Sequence, residues 1–355
     1  MPSVCRKDSL DNIQKFSGQN STFAFPEHFQ SGNLNHFKIT FADTALRAFP
    51  VCRHVLPDGS WSNAIIRPTL CFIVFHATNR TPVFFHRDFL QNKHMQNRPS
   101  ILVFAGHDPS GGAGIQADVE TINDLGAHAC TIITALTVQN SHNLQAFQSI
   151  EPALLKQQFE ALHKDITFSA VKIGMIGSEK ILATIIQCLQ SLPGIPVVLD
   201  PVLAAGGGAE VSNQAFIQAL KNQLLPIVTV ATPNLPEAQR LSGKSDLNDC
   251  ASSLLAHNCR NIIITGTHAQ TRQVTHTLFT HNDEPYAITG ERLSGQYHGS
   301  GCTFASALTS FMAQKHSVKD SFRQAQDYTF SSLLHADTPG HGQQFPQRRQ
   351  HGWDK

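Results

Sequence analysis

From residue 99 onward the chain alternates short apolar runs with amphipathic stretches, and this alternation limits its possible folds more than any other feature. Apolar runs recur at 101–105, 130–136, 170–175, 196–199, 227–231 and 261–265. Stretches with helical spacing lie between them, at about 113–125, 152–164, 178–191, 212–225 and 247–257. Runs this short, separated by helices, predict parallel strands buried on both faces. Right-handed crossovers then give an α/β fold of three layers, α/β/α, around a mainly parallel central sheet. Residues 274–280 and 285–290 predict a short antiparallel pair, and helices over 301–315 and 318–335 close the pattern. Ligands of such sheets collect at the carboxyl ends of the strands. Gly106, Gln139, Met175, Asp200 and Asn234 each fall at such an end.

Residues 1–98 have a different texture. They hold 12 of the 23 Phe but only 3 of the 23 Gly, and carry a net charge of +5 against −4 for the remainder. They lack sustained helical or strand periodicity. The expected organisation is an N-terminal extension without a recognisable domain (1–98), followed by one catalytic domain (99–350). The composition break and the missing periodicity motivate the hypothesis that translation starts at Met95, just before the first strand, and that 1–94 is upstream sequence. Histidines 28, 36, 54, 76, 86 and 94 lack ligand spacing. Charge near neutrality argues against nucleic acid as a partner. No apolar run approaches the ~18 residues of a membrane span. Eight cysteines at irregular spacing, with no C-x-x-C pair, point to a reduced, cytoplasmic setting.

Two glycine-rich turns carry the chemistry. His298-Gly-Ser-Gly-Cys-Thr303 runs into an apolar helical pattern. Gly299, Ser300, Gly301 and Cys302 there offer consecutive amides and the positive end of a helix dipole, an anion hole with a thiol at its mouth. A simple turn with a small buried Cys is the alternative. Residues 105–118, Ala-Gly-His-Asp-Pro-Ser-Gly-Gly-Ala-Gly-Ile-Gln-Ala-Asp, form the second turn. It fits neither the dinucleotide nor the P-loop spacing. Gln139 offers a donor beside an acceptor, suited to an amino group next to a ring nitrogen. Asp118 can accept from an amino or hydroxymethyl group, while Met175 and Val202 can wall a flat ring. Asn234 and Glu237, three apart, suit either Mg2+ or a capping box.

These motifs together resemble the hydroxymethylpyrimidine/phosphomethylpyrimidine kinases of thiamine biosynthesis, members of the ribokinase-like superfamily. The resemblance covers 99–350 and rests on 105–118, ITALTVQN (133–140), KIGMIG (172–177), LDPV (199–202), TPNLPEA (232–238), HGSGCT (298–303) and GQQFPQRR (342–349). It implies a ribokinase-like fold and two ATP-dependent phosphorylations, of hydroxymethylpyrimidine and then of its monophosphate. It implies that Gly106, Asp118, Gln139, Met175 and Val202 line the pyrimidine pocket and that Gly299–Cys302 form the anion hole. Cys302 stands where most of the superfamily carry an Asp base; at a helix N-terminus its thiol should have a lowered pKa. Asn234 and Glu237 lie in the Mg2+-linked motif, with Mg2+ held through water, and a homodimer is the family expectation.

Three positions depart from the pattern. His107 replaces a small hydroxyl residue, either contacting phosphate or capping the turn. Thr265 stands where the family often has Lys, a possible nucleotide contact. The Ala204–Gly208 flap also lacks a Lys. Pyridoxal kinase activity and a non-catalytic pyrimidine sensor are the competing readings; Gln139 favours the aminopyrimidine and the intact anion hole favours catalysis.

Overall fold

The computed structural model describes residues 98–203, 213–266 and 271–349, together with six short strands nearer the N-terminus. The chain separates into two units, Met1–Gln96 and Asn97–Lys355. In the first unit, β1 (Ser3–Cys5) pairs antiparallel with β2 (Phe37–Ile39), β3 (Val51–Val55) with β4 (Trp61–Ile65), and β5 (Cys71–Phe75) with β6 (Val83–Arg87). These strands are too short for their alternation to register in a periodicity reading.

The second unit is built on nine strands in the order β15-β14-β13-β12-β11-β10-β7-β8-β9. Their ranges are β7 Ser100–His107, β8 His128–Gln139, β9 Leu144–Ser149, β10 Phe168–Ile173, β11 Val197–Leu199, β12 Val230–Ala231, β13 Asn261–Thr265, β14 Gln273–Thr280 and β15 Tyr286–Glu291. The six strands from β13 to β8 are mutually parallel. Only β9 at one edge and β14 and β15 at the other run antiparallel to their neighbours. The α/β reading with a mainly parallel sheet therefore holds.

Among the described residues eight α-helices flank this sheet: α1 Gly114–Asp124, α2 Pro152–Asp165, α3 Glu179–Gln190, α4 Gln214–Ala219, α5 Leu235–Ser242, α6 Leu247–Leu255, α7 Ser300–Ala313 and α8 Val318–Leu334. Strand β7 shows why two faces are covered. Side chains alternate along a strand, so Leu102 and Phe104 join the core under α2 and α3. Ile101, Val103 and Ala105 join the core under α1. A third cluster packs α7 and α8 against the β14–β15 side through Phe304, Leu308 and Phe322. No helix among the described residues is long and apolar enough to cross a membrane.

Strand β8 matters most for the site. Its first part pairs parallel with β7 as far as Leu136. From Ala135 to Gln139 it pairs antiparallel with β9, so it runs on past the sheet's carboxyl edge with Gln139 at its tip.

Candidate active site

Helix N-termini leave amides without partners, which a capping side chain ordinarily satisfies. Ser178, Asn213, Asn234, Asp246 and Ser317 do so for α3, α4, α5, α6 and α8. Three helices have no such cap: α2, which begins at Pro152, and α1 and α7, whose N-cap residues are Ala113 and Gly299. The ends of α1 and α7 converge. Gly299 has φ +82°, and a Cβ there would overlap the carbonyl oxygen of Gly112. Gly114, at the start of α1, has φ +58°, and its Cβ would overlap the Gly106 carbonyl. Glycine at both positions lets two backbone turns touch. Gly301 is exposed and Ser300 half-buried, so the first turn of α7 is reachable from solvent.

Asp108 organises the first turn. Its carboxylate accepts from Ser110 N–H (2.9 Å), Ser110 Oγ (2.7 Å) and Ala113 N–H (2.9 Å). His298 Nε2 lies 2.7 Å from Asp108 Oδ2 and joins the two turns. Burial raises the Asp108 pKa, but the bonds from His298 and Ser110 outweigh it and hold the group below its ordinary value. A carboxylate only accepts, so the proton sits on His298 Nε2. The Gln139 amide lies 2.8 Å from the same nitrogen. The contact is made by the amide Nε2; a protonated nitrogen cannot accept from an NH2 group, so the pairing requires the amide turned with its oxygen toward His298, which leaves the NH2 for a ligand.

The structure brings Gly106, Met175 and Val202 together. A Cβ on Gly106 would stand 3.0 Å from the Met175 sulfur. Met175 clusters with Ala135 and Leu144, and Phe147 and Val202 pack against them. Thr265 and Asn234 are also neighbours, through a parallel bridge and a bond from Thr265 N–H to Pro233 O (2.9 Å). Asn234 and Glu237 form a complete capping box, each side chain accepting from the other's amide at 2.9 Å. The Ala204–Gly208 flap lies outside the described residues.

Two expectations are corrected. Asp118 does not line the pocket. It is fully buried and accepts from Lys172 Nζ at 2.8 and 2.9 Å and from Ser306 Oγ at 2.7 Å. The Cys302 thiol is not acidified. Burial and the carboxylates of Asp200 and Asp118 push it up to about 12, against the opposing charge of Lys172, so it is a thiol at neutral pH. It hydrogen-bonds to Asp200 and to the Gly114 backbone.

The sequence reading missed Lys172, Asp108, His298, Ser306 and Arg348 as parts of this centre. Asp200, noted only as a strand-end residue, sits beneath the anion hole; a Cβ on Gly301 would stand 3.9 Å from its Oδ2. Burial lifts Asp200 to about 6, although Lys172 opposes it. Burial, then the charge of Asp200, lifts Glu237 to about 8. A carboxyl group whose ionisation is disfavoured by burial and by a neighbouring carboxylate, as at Glu237, suits a divalent cation. Mg2+ takes few protein ligands and keeps its waters, so the absence of a group of three or more ligating side chains among the described residues is compatible with it.

An α/β sheet with two uncapped helix ends meeting at its carboxyl edge points to one of the protein classes that bind phosphate. The comparisons specify which. Residues 108–347 match the family model described as phosphomethylpyrimidine kinase, and the chain belongs to that family. It is 35% identical over 253 residues to the hydroxymethylpyrimidine/phosphomethylpyrimidine kinase of Escherichia coli, covering 69% of this chain and 95% of that one. It is 34% identical over 250 residues to a bifunctional thiamine biosynthesis protein of Geobacter sulfurreducens, covering 69% of this chain and about half (51%) of that one. Among solved structures, the ADP complex of Bacillus subtilis pyridoxal kinase aligns with a TM-score of 0.66 at 28% identity, over 71% of this chain and 97% of that one. The fold is ribokinase-like.

Proposed function

We propose that this chain transfers the γ-phosphoryl group of ATP to the hydroxymethyl oxygen of 4-amino-5-hydroxymethyl-2-methylpyrimidine, and then a second one to the monophosphate. The observation that carries this reading is the convergence of the uncapped α1 and α7 ends, which His298 joins to Gln139, at the carboxyl edge where Gly106, Met175 and Val202 also meet. The Gln139 NH2 can donate to a ring nitrogen while its oxygen, with a lone pair left, accepts from the 4-amino group. Gly106 lets the ring approach the backbone. The amides of Ser300, Gly301 and Cys302 meet charge developing on the transferred group, a contribution typically worth ~10²–10³ in rate per donor. Phosphoryl transfer through a loose transition state asks little of a base. A proton leaving the hydroxymethyl oxygen passes to Cys302 Sγ as the thiol proton moves to Asp200.

Glu237, with Asn234 through water, would hold Mg2+, which supplies charge neutralisation to the ATP phosphates. Thr265, beside Asn234, would make a nucleotide contact. The catalytic unit is 99–350, acting as a cytoplasmic homodimer; Leu136 and Val138, exposed on the protruding part of β8, suit a second copy. Light scattering checks the dimer.

The test is coupled ADP release with Mg-ATP and either hydroxymethylpyrimidine or pyridoxal, on the full chain and on residues 95–355, with products weighed by mass. Preference for the pyrimidine, reaching the diphosphate and selectively weakened by Gln139→Leu, is the expected result. Preference for pyridoxal, or tight binding with no turnover, overturns it.

A further inference from the structure

Three loops make the site, and the C-terminal segment touches all of them. Gln343 N–H donates to Ser141 O (2.8 Å) in the turn after Gln139, and His298 N–H donates to Gln344 O (2.8 Å). The Phe345 ring lies 5.6 Å from that of His298. A Cβ on Gly112 would come within 2.9 Å of Phe345, so the segment backs directly onto the first glycine turn.

Arg348 ends this strap, and it is only 2% exposed. Its Nε donates to Thr303 Oγ1 in α7 (2.9 Å), and its Nη2 donates to the Gly112 carbonyl (2.5 Å). Nη1 reaches Glu120 Oε2 on α1 at a longer 3.3 Å. Its own carbonyl accepts from Tyr328 on α8 (2.5 Å). One guanidinium therefore ties both glycine turns to both helices whose open ends form the anion hole. The Gly112 oxygen it holds faces Gly299. An uncovered carbonyl there would present partial negative charge to incoming phosphoryl oxygens. The Arg348 fork covers that oxygen and sets a buried cation behind the amides.

We propose that Arg348 is a positioning residue for phosphoryl transfer, acting through Gly112 and Thr303 without touching substrate. This rests on the kinase reading above. The test uses the full chain and its Arg348→Ala and Arg348→Lys variants, with steady-state kinetics and thermal melts. A cleft of about 510 Å3, lined by Arg348, Glu120 and Asp108 among others, lets free guanidinium reach the vacated place. Misplacing reacting groups by about 1 Å costs about 10²-fold. R348A should therefore lose roughly 10²-fold in kcat with KM for the pyrimidine nearly unchanged, and added guanidinium should restore about tenfold of it. R348K keeps the charge but not the fork, and should lose roughly tenfold.

Wild-type kcat in R348K, or in folded R348A, overturns the proposal, as does an R348A loss that guanidinium does not restore. If R348A fails to fold, R348K decides alone. A wild-type chain that turns over neither pyrimidine substrate sinks the kinase reading, and this inference with it.

Discussion

Replacing Lys172 with Met tests how the floor of the site is held. Lys172 and Asp118 are both fully buried, and the ammonium meets both carboxylate oxygens at 2.8 and 2.9 Å. Burial disfavours the ammonium, but the charge of Asp118 outweighs it and holds Lys172 above the ordinary lysine range. Methionine nearly matches the lysine stem in length, so Lys172→Met mainly removes the charge. Asp118 then keeps only the Ser306 hydroxyl as a side-chain donor. Removing one partner of a buried pair costs about 3–5 kcal/mol, because the other charge is left uncompensated. Neutralising that charge as well should recover part of the loss, about 1–2 kcal/mol in Asp118→Asn/Lys172→Met, within the range of couplings between contacting residues. Urea titrations of the wild type, both single variants and the double variant at pH 7 give the cycle. A loss below about 1 kcal/mol in Lys172→Met, or a double variant no more stable than that single one, would refute the reasoning. The same variant has a kinetic signature. Lys172 holds down the already raised pKa of Asp200, so its loss should move the acid limb of the kcat–pH profile upward.

Gly299→Ala should be damaging on two counts. Left-handed backbone costs a side-chain residue about 1–2 kcal/mol, and the new Cβ overlaps the Gly112 carbonyl; a fall in melting temperature and a roughly 10²-fold loss of kcat are expected, and wild-type kcat would count against the touching turns. Glu237 is raised from 4.5 to about 8, so the fold favours its protonated form. Its contribution is full below pH 4.5 and stability declines as pH rises to about 8, with Asp200 adding in the same direction between 3.8 and about 6. Mg2+ without nucleotide should then raise the melting temperature more at pH 8 than at pH 6, and Glu237→Gln should remove that difference; an unchanged difference would speak against Glu237 as a metal-holding group. Cys302, pushed up to about 12, should react slowly with iodoacetamide at pH 7.5, followed by mass on its peptide; rapid alkylation there would show a thiolate.

The order of strands and helices was legible because apolar spacing reports burial directly. What escaped were elements whose spacing is weak. β9, Leu144–Ser149, is an edge strand with only Leu144 buried, and α5 is eight residues long and begins at its own capping box. In the site, the glycine turns were legible because a touching backbone leaves its mark locally. The polar floor was not, because its partners are remote: Lys172 and Asp118 are 54 residues apart, Ser306 and Asp118 are 188, and Arg348 and Gly112 are 236.

Asp118 need not have been misplaced. It lies three residues after Ile115 and four before Ile122, on the buried face of α1, and a charge on that face implies a buried counter-charge. Lys172, the lone cation inside the apolar run 170–175, was the candidate partner. Cys302 was misjudged for the opposite reason. A helix N-terminus does lower a thiol's pKa, but burial beside two carboxylates acts in the opposite direction on Cys302. The acidity of a group in a helix's first turn therefore depends on what the fold packs beneath that turn. Here Asp200 and Asp118 come from other elements, brought under α7 by the sheet edge and by α1.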